Sequence, residues 1–199
     1  MQRRELFPSP LYIARTQGGE ALRSELRQRL LDEAAASEGM QVSNVRSWHS
    51  EQDLFTRPEP CFRGLTELIL AGFRQVLADG AQRAGQAPDP KQRISGIAWA
   101  MVMQQGGYSR PHHHGEAHWA GVYYVDAGED LPLPDGCLSF LDPRGGLNAP
   151  DPLGLFHSKH DLKPVDGLLV FFPGWLGHYV HPYTGSRPRI SVACNLQVG

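Results

Sequence analysis

The sequence contains few cysteines and no strong excess of charge. Its three cysteines, Cys61, Cys137 and Cys194, are far apart and form no Cys-x-x-Cys pair, which argues against a zinc-thiolate site or a redox dithiol. We expect them to be buried free thiols. Nineteen basic and twenty-one acidic side chains give a net charge of -2, so no overall field attracts nucleic acid or an anionic membrane surface.

Long apolar runs are also missing. No stretch approaches the roughly 20 apolar residues of a membrane span, and no apolar segment follows the charged first residues. We therefore predict a cytoplasmic protein with no membrane partner. With 199 residues and 41% hydrophobic content, the chain suits a single domain, residues 1–199. The sequence leaves the oligomeric state open, a homodimer included.

Two amphipathic helices are predicted in residues 1–90, which we interpret as a helical support region. Between Gly19 and Gly39, apolar side chains recur every four residues among Glu and Arg. A second helix is predicted to begin after Pro60 and to end near Asp79-Gly80. Its apolar face comprises Leu65, Leu68, Ile69, Phe73, Val76 and Leu77.

Residues 91–199 have the pattern of a β-rich core. Short apolar runs separated by Gly, Pro and Asp occupy residues 94–103, 120–125, 137–141, 168–172 and 190–198. This spacing predicts a mainly β fold, a barrel or a jelly roll, rather than alternating βαβ units. We predict a long loop over residues 145–163, lying across one mouth of the barrel.

A cluster of histidines indicates a metal site. Four of the nine histidines lie within residues 112–118. In a strand, His112 and His114 would share one face while His113 points away. His178 follows an apolar strand that ends in a Pro-Gly pair, and it can supply a third ligand. Three protein ligands leave open positions on an octahedral ion, which favours redox iron over a closed structural zinc site.

Glu116 offers an alternative ligand. His114-x-Glu116 has the spacing of the His-x-carboxylate half of a two-histidine, one-carboxylate triad, in which a carboxylate is the usual third ligand. The residues alone leave both sets open. We interpret His113 and His118 as surface groups or as supports for the ligands.

The last β segment contains a candidate carboxylate-binding pair. Arg189 and Ser191 share one strand face, and a guanidinium fork can hold a carboxylate through two hydrogen bonds while a hydroxyl adds a third. This pair could bind the distal carboxylate of 2-oxoglutarate, whose keto-acid end would then chelate iron. Tyr108, Tyr124 and Asn195 could add hydrogen bonds to the same co-substrate.

Candidate substrate contacts flank the proposed ligands. We expect Trp119, Trp175 and Tyr179 to line the substrate pocket, and Arg144 to offer a charge to an acidic substrate group. A small-molecule substrate is favoured over a protein, because nothing outside the single domain offers a docking surface.

Taken together, these motifs resemble a bacterial family of 2-oxoglutarate/Fe(II)-dependent oxygenases related in fold to prolyl hydroxylases. The resemblance covers most of the chain. Its motifs are Ser43-Asn44, Trp48-His49-Ser50, His112-x-His114, residues 120–124, Asp142-Pro143-Arg144, residues 171–178, Pro182-Tyr183-x-Gly185, Arg189-Ile190-Ser191 and Asn195.

The resemblance implies a double-stranded β-helix, a cupin-like jelly roll, with flanking N-terminal helices. It also implies Fe(II) as the metal, 2-oxoglutarate and O2 as co-substrates, and hydroxylation of an unactivated C–H bond as the reaction. Because His-x-His is the recurring family element, the resemblance favours His112 and His114 over Glu116 as ligands.

Two other functions remain compatible with the residues. Gly106 with His112-x-His114, and Gly167 with His178, approximate the two metal motifs of three-histidine cupin dioxygenases, which oxidise small thiols without 2-oxoglutarate. That class does not require Arg189-x-Ser191. The third candidate is a non-catalytic cupin-like module that binds a metal or a sugar acid.

Overall fold

A computed structural model describes residues 2, 7–144 and 158–199. It contains nine strands and two helices in these ranges. The strands are β1 (Tyr12–Arg15), β2 (Asn44–His49), β3 (Ile94–His112), β4 (Trp119–Asp126), β5 (Leu138–Leu141), β6 (Lys159–Leu162), β7 (Leu168–Pro173), β8 (His178–Tyr183) and β9 (Arg189–Val198); the helices are α1 (Glu20–Ala36) and α2 (Pro60–Arg83).

The strands form one antiparallel sheet that folds back on itself. Its order is β1-β7-β4-β9-β3-β8-β5-β6, with β2 paired to β3 outside this path. Strand β3 links the two halves, because residues 94–103 pair with β9 while residues 107–112 pair with β8. Gly106 lies between these two pairings with φ of 76°, a conformation that costs glycine nothing. The predicted mainly β jelly roll with flanking helices is confirmed.

Alternation along the central strands separates a helix-facing core from an inner face. On β9, Ile190, Val192, Cys194 and Leu196 pack toward the helices, together with alternate residues of β3. The intervening residues of both strands face the space between the two halves of the sheet. The helices cover the outer side through their buried stripes, which include Leu26 and Leu30 of α1 and Phe62, Leu65, Ile69 and Phe73 of α2.

Several boundaries differ from the sequence predictions. Helix α2 continues beyond Asp79-Gly80 to Arg83, whose guanidinium pairs with Asp79 one turn back at 2.6 Å. The region of residues 1–90 also supplies β1 and β2 to the sheet, in addition to the helices. Of the predicted loop over residues 145–163, residues 159–162 form β6 against β5, and residues 145–157 lie outside the described residues.

Candidate metal and co-substrate site

Three histidines converge at the open end of the inner cavity. His112 is the last residue of β3 and pairs directly with His178, the first residue of β8. His114 lies just beyond the strand, where its backbone N–H donates to the Gly174 carbonyl at 2.7 Å. The candidate ligand nitrogens of the three side chains all lie within 4.8 Å of one another. This spacing allows one ion to contact all three.

Backbone hydrogen bonds orient two of the three rings. Nδ1 of His112 lies 2.7 Å from the Arg110 carbonyl, and Nδ1 of His178 lies 2.9 Å from the Leu176 carbonyl. A carbonyl oxygen can only accept, so each Nδ1 carries the proton and each Nε2 presents a lone pair. Both rings are therefore held in the tautomer that a metal requires.

Burial also keeps the cluster neutral. Loss of solvent lowers the pKa of His114 to about 4 and that of His178 to about 3, and the neighbouring imidazoles add to both shifts. Burial likewise lowers the pKa of His112. Three uncharged imidazoles at neutral pH are metal-ready ligands, because no proton has to leave before an ion binds.

The other candidate metal ligands of residues 113–118 do not join the three-histidine cluster. Glu116 is exposed and does not belong to the metal-compatible group among the described residues. His113 is exposed, and its Nδ1 accepts from the Gly115 N–H at 3.2 Å. Nδ1 of His118 accepts from the Val198 N–H at 3.0 Å. The geometry therefore favours the three-histidine set over the alternative with a carboxylate.

Arg189 lies at the closed end of the same cavity. It is only 2% exposed, and its Nε has no hydrogen-bond partner among the described residues. Its guanidinium contacts the Tyr124 hydroxyl at 3.3 Å and packs over the Tyr124 ring at 5.0 Å. No carboxylate of the described residues forms an ion pair with it. A buried cation in this state is an incomplete site, because charged groups without partners are costly to bury.

The cavity that joins the two ends has a volume of about 430 Å³. The register of the strands gives the distance between the two ends of the cavity. Arg189 lies four residues along β9 from Ala193, and Ala193 pairs with Trp99, which lies beside the His114 ring. At about 3.3 Å per residue, this step is roughly 13 Å. The arrangement suits a molecule with a carboxylate at one end and a metal-chelating group at the other.

Among the predicted co-substrate contacts, Ser191, Tyr124 and Asn195 lie on the cavity wall. Asn195 is four residues from Ser191 along β9, so it lies nearer the metal end than Arg189 does. Its Oδ1 is buried without a partner among the described residues. Tyr108 is not one of the residues that line the cavity; Ser109 takes the inward position.

The predicted substrate contacts do not line the cavity. Trp119 faces the helices and packs on Tyr12 and Phe73, because its neighbour Ala120 packs on the opposite face of β4 with Tyr124 and Phe172. Tyr179 packs against His181 on the outer side of β8. Trp175 is 49% exposed in the β7–β8 turn, and Arg144 pairs with Asp142 at the surface. None of the four is among the residues that line this cavity in the described structure, and their contact with a substrate stays a prediction.

Sequence reasoning missed other side chains on the cavity wall. His49 of β2 is buried, stacks on Trp99 with ring centroids 5.6 Å apart, and lines the cavity. It pairs with Met101, which in turn pairs with Ser191, so the three residues form one row across the inner face. The alternation of Trp99, Met101 and Met103 could have indicated the inward-facing side of β3. Placing His49 on that side also requires β2 to be recognised as a strand, which was not predicted from the sequence.

The fold and the site together define a non-haem iron oxygenase with a jelly-roll core. Residues 97–195 match the family model described as "Putative 2OG-Fe(II) oxygenase", and the chain belongs to this family. The expected use of Fe(II) and 2-oxoglutarate is thereby confirmed. No curated protein shows significant sequence similarity to the chain.

Solved structures support the same fold. A prolyl-4-hydroxylase from Pseudomonas putida is 17% identical with a TM-score of 0.62, over 94% of this chain and 91% of that chain. A Trichoplax adhaerens prolyl hydroxylase, bound to a hypoxia-inducible factor peptide fragment, is 12% identical with a TM-score of 0.65, over 94% and 83% of the two chains. HygX from Streptomyces hygroscopicus, with nickel and 2-oxoglutarate bound, is 13% identical with a TM-score of 0.64, over 95% and 82%.

Proposed function

We propose that His112, His114 and His178 bind Fe(II), that Arg189 binds the distal carboxylate of 2-oxoglutarate, and that the enzyme hydroxylates a C–H bond of a small molecule. One observation carries this assignment: a three-histidine cluster and a buried guanidinium without a carboxylate partner among the described residues lie at opposite ends of one cavity. Each end lacks a partner that a chelating 2-oxo dicarboxylate complex would supply.

The donor set fits Fe(II). Imidazole nitrogens suit iron, and three ligands leave room for a bidentate co-substrate and O2 on an octahedral ion. Once bound, iron and 2-oxoglutarate supply the oxidative chemistry. The chain's own residues hold and orient the partners: the histidines fix the metal position, while Arg189 and Tyr124 direct the far carboxylate. Apolar walls such as Phe172, whose ring lies 4.8 Å from that of His178, exclude water.

Ser191 and Asn195 would contact opposite ends of the co-substrate. Ser191 is buried on the same face of β9 as Arg189, so its hydroxyl can donate to the far carboxylate. Asn195 lies nearer the metal and is better placed for the keto-acid end. The roles of both side chains are part of the proposal.

The substrate would enter on the side formed by β2 and the end of β3. His49, Gln52 and Arg110 line this part of the cavity, and no Asp or Glu of the described residues lies on its wall. A neutral or anionic molecule is favoured, because the charged wall residues are cationic. The volume is in the range of small-molecule sites. One structural neighbour binds hygromycin B and another a peptide fragment, so both substrate types occur on this fold.

Metal binding and succinate release test the assignment together. Wild type should bind one Fe(II) per chain and release succinate from 2-oxoglutarate, and His178→Ala should lose both properties. His181→Ala is the matched control, since His181 lies on the same strand but contacts Tyr179 and Asp161 outside the cavity. Unchanged iron occupancy in His178→Ala would exclude the proposed ligand set.

The two rival functions make different predictions. A thiol dioxygenase would consume O2 with a small thiol and ignore 2-oxoglutarate, and a binding module would retain metal without consuming O2. The buried Arg189 counts against the thiol dioxygenase, which does not require this residue. A module that binds a sugar acid could pair Arg189 with the carboxylate of its ligand, so the O2 measurement is what separates it from the oxygenase. No helix in the described ranges is long and apolar enough to cross a membrane. The cytoplasmic location and a homodimer stay predictions.

A further inference from the structure

The turn before β9 is fixed by an ion pair to a buried carboxylate that the catalytic assignment does not use. Arg187 directs Nη1 at both carboxylate oxygens of Asp126, each at 2.8 Å. The Asp126 side chain is only 6% exposed. Arg27 of α1 reaches the same carboxylate through Nε at 2.8 Å. Asp126 therefore joins the end of β4 to the start of β9 and to a helix.

The main chain of Arg187 is held on both sides as well. Its N–H donates to Oε1 of Glu129 at 2.9 Å, and its carbonyl accepts from the Tyr183 hydroxyl at 2.6 Å. The same hydroxyl accepts from the Glu129 N–H at 2.9 Å, which closes the network. Tyr183 is almost completely buried. A turn held in this way has little freedom to move.

This network lies next to the residues proposed to bind the co-substrate. Asp126 lies two residues after Tyr124 on β4, and Arg187 lies two residues before Arg189. The regular pairing of β4 with β9 breaks between Tyr124 and Asp126. The pairing resumes in a shifted register, with Asp126 opposite Ile190. The Asp126–Arg187 ion pair therefore lies at an irregular stretch of the strand pairing, beside the Arg189–Tyr124 contact.

We propose that the Asp126–Arg187 pair is a positioning clamp that sets the separation of Arg189 and Tyr124 and thereby the affinity for 2-oxoglutarate. This inference rests on the proposed role of Arg189. Neither clamp residue lines the cavity, so the pair acts through strand placement rather than by touching the co-substrate. Small displacements of a positioned charge are costly, because two simultaneous hydrogen bonds demand fixed geometry.

Arg187→Met and Arg27→Met form a matched pair of variants for the test. Both remove a partly exposed guanidinium from the same carboxylate and keep an apolar stem, but only Arg187 lies on the turn that leads into β9. Binding of 2-oxoglutarate is measured by calorimetry on the full chain loaded with Ni(II), well below the unfolding temperature of each variant. Unfolding temperatures are recorded in parallel.

We expect Arg187→Met to weaken 2-oxoglutarate binding about tenfold and Arg27→Met to change it less than about twofold. Arg187→Lys, which keeps the charge but not the fork, should fall between Arg187→Met and wild type. In turnover, the effect should appear in KM for 2-oxoglutarate more than in kcat.

Two results would overturn the clamp: equal affinity in wild type and Arg187→Met, or equal weakening in both methionine variants, which indicates general loss of stability. Arg189→Met separates these from failure of the proposed function. If Arg189→Met binds 2-oxoglutarate normally, the co-substrate assignment is wrong and the clamp fails with it. If Arg189→Met abolishes binding while Arg187→Met does not weaken it, only the clamp is wrong.

Discussion

Replacing Arg189 by methionine should stabilise the unliganded protein and sharply weaken its binding of the co-substrate. The guanidinium is 2% exposed, its Nε has no partner among the described residues, and its contacts to Tyr124 and Met103 are long, at 3.3 and 3.9 Å. Its burial therefore costs free energy until an anion arrives. Methionine has a similar length and carries no charge to desolvate.

The effects on protein stability and on co-substrate binding have opposite signs, and the size of each can be bounded. A buried donor without a partner costs about 1–3 kcal/mol, and the cation–π contact with Tyr124 returns only about 0.5–2 kcal/mol. Including the cost of burying the charge itself, we expect a net gain of about 1–3 kcal/mol in the free energy of unfolding. For a chain of this size, each kcal/mol raises Tm by about 2–4 °C.

Co-substrate binding should fall steeply in the same variant. Removing one partner of a buried, hydrogen-bonded charge pair costs about 2–5 kcal/mol, which corresponds to a loss of roughly thirtyfold to several thousandfold in affinity. Scanning calorimetry of the metal-free chain and titration of the Ni(II)-loaded chain with 2-oxoglutarate measure the two quantities.

Arg110→Met is the control for this experiment. Arg110 also lines the cavity but is exposed, so its replacement should change stability by less than about 0.5 kcal/mol. A less stable Arg189→Met protein that still binds 2-oxoglutarate would refute the reasoning, because Arg189 would then be an ordinary structural cation.

Three further outcomes follow from the site. Gly174→Ala should weaken metal binding, since a Cβ there would overlap the Ala117 carbonyl and lie 2.6 Å from the His114 carbonyl; Gly177→Ala, with its nearest atom at 3.8 Å, should not. The folded chain holds the pKa of His114 below its unfolded value of about 6.5. Protons therefore favour the unfolded state, and the metal-free protein should lose stability in thermal melts as pH falls from 6.5 toward 4, less so in His114→Gln. Burial raises the pKa of Cys194 to about 12, so iodoacetamide at pH 8 should leave this thiol unmodified until the protein unfolds.

The proposed metal ligands were largely predictable because their signal is local. The two-residue spacing of His112 and His114 suggested a shared side although His114 lies just beyond the end of β3, and His178 needed only the Pro-Gly turn before it. The preference for the three histidines over Glu116 as ligands depended on the three-dimensional structure. The chain turns after β3 and ties the His114 N–H to the Gly174 carbonyl, which leaves Glu116 exposed on the loop.

The substrate side was not predictable in the same way. Trp119 and Tyr179 are adjacent to inward-facing residues, and a shift of one position along a strand reverses the face. Proximity in sequence to a proposed ligand therefore selected side chains that do not line the cavity. His49 lies 63 positions before His112 in the sequence, and only the pairing of β2 with β3 brings it into the cavity.

The lack of a carboxylate in the ligand cluster has a consequence for co-substrate affinity. In a two-histidine, one-carboxylate site, the protein contributes one negative charge to the metal. Here the low pKa values of His114 and His178 keep those ligands neutral, and no acid of the described residues lies on the cavity wall. In the proposed assignment, the divalent metal and Arg189 would therefore face 2-oxoglutarate with their full charge at both of its ends. Because opposite charges attract more strongly in a poorly solvated cavity than in water, the bound dianion would both complete the proposed site and offset the cost of burying Arg189. The proposed assignment thereby accounts for a buried arginine that has no carboxylate partner among the described residues: the free energy lost by burying its charge would be recovered when the co-substrate binds.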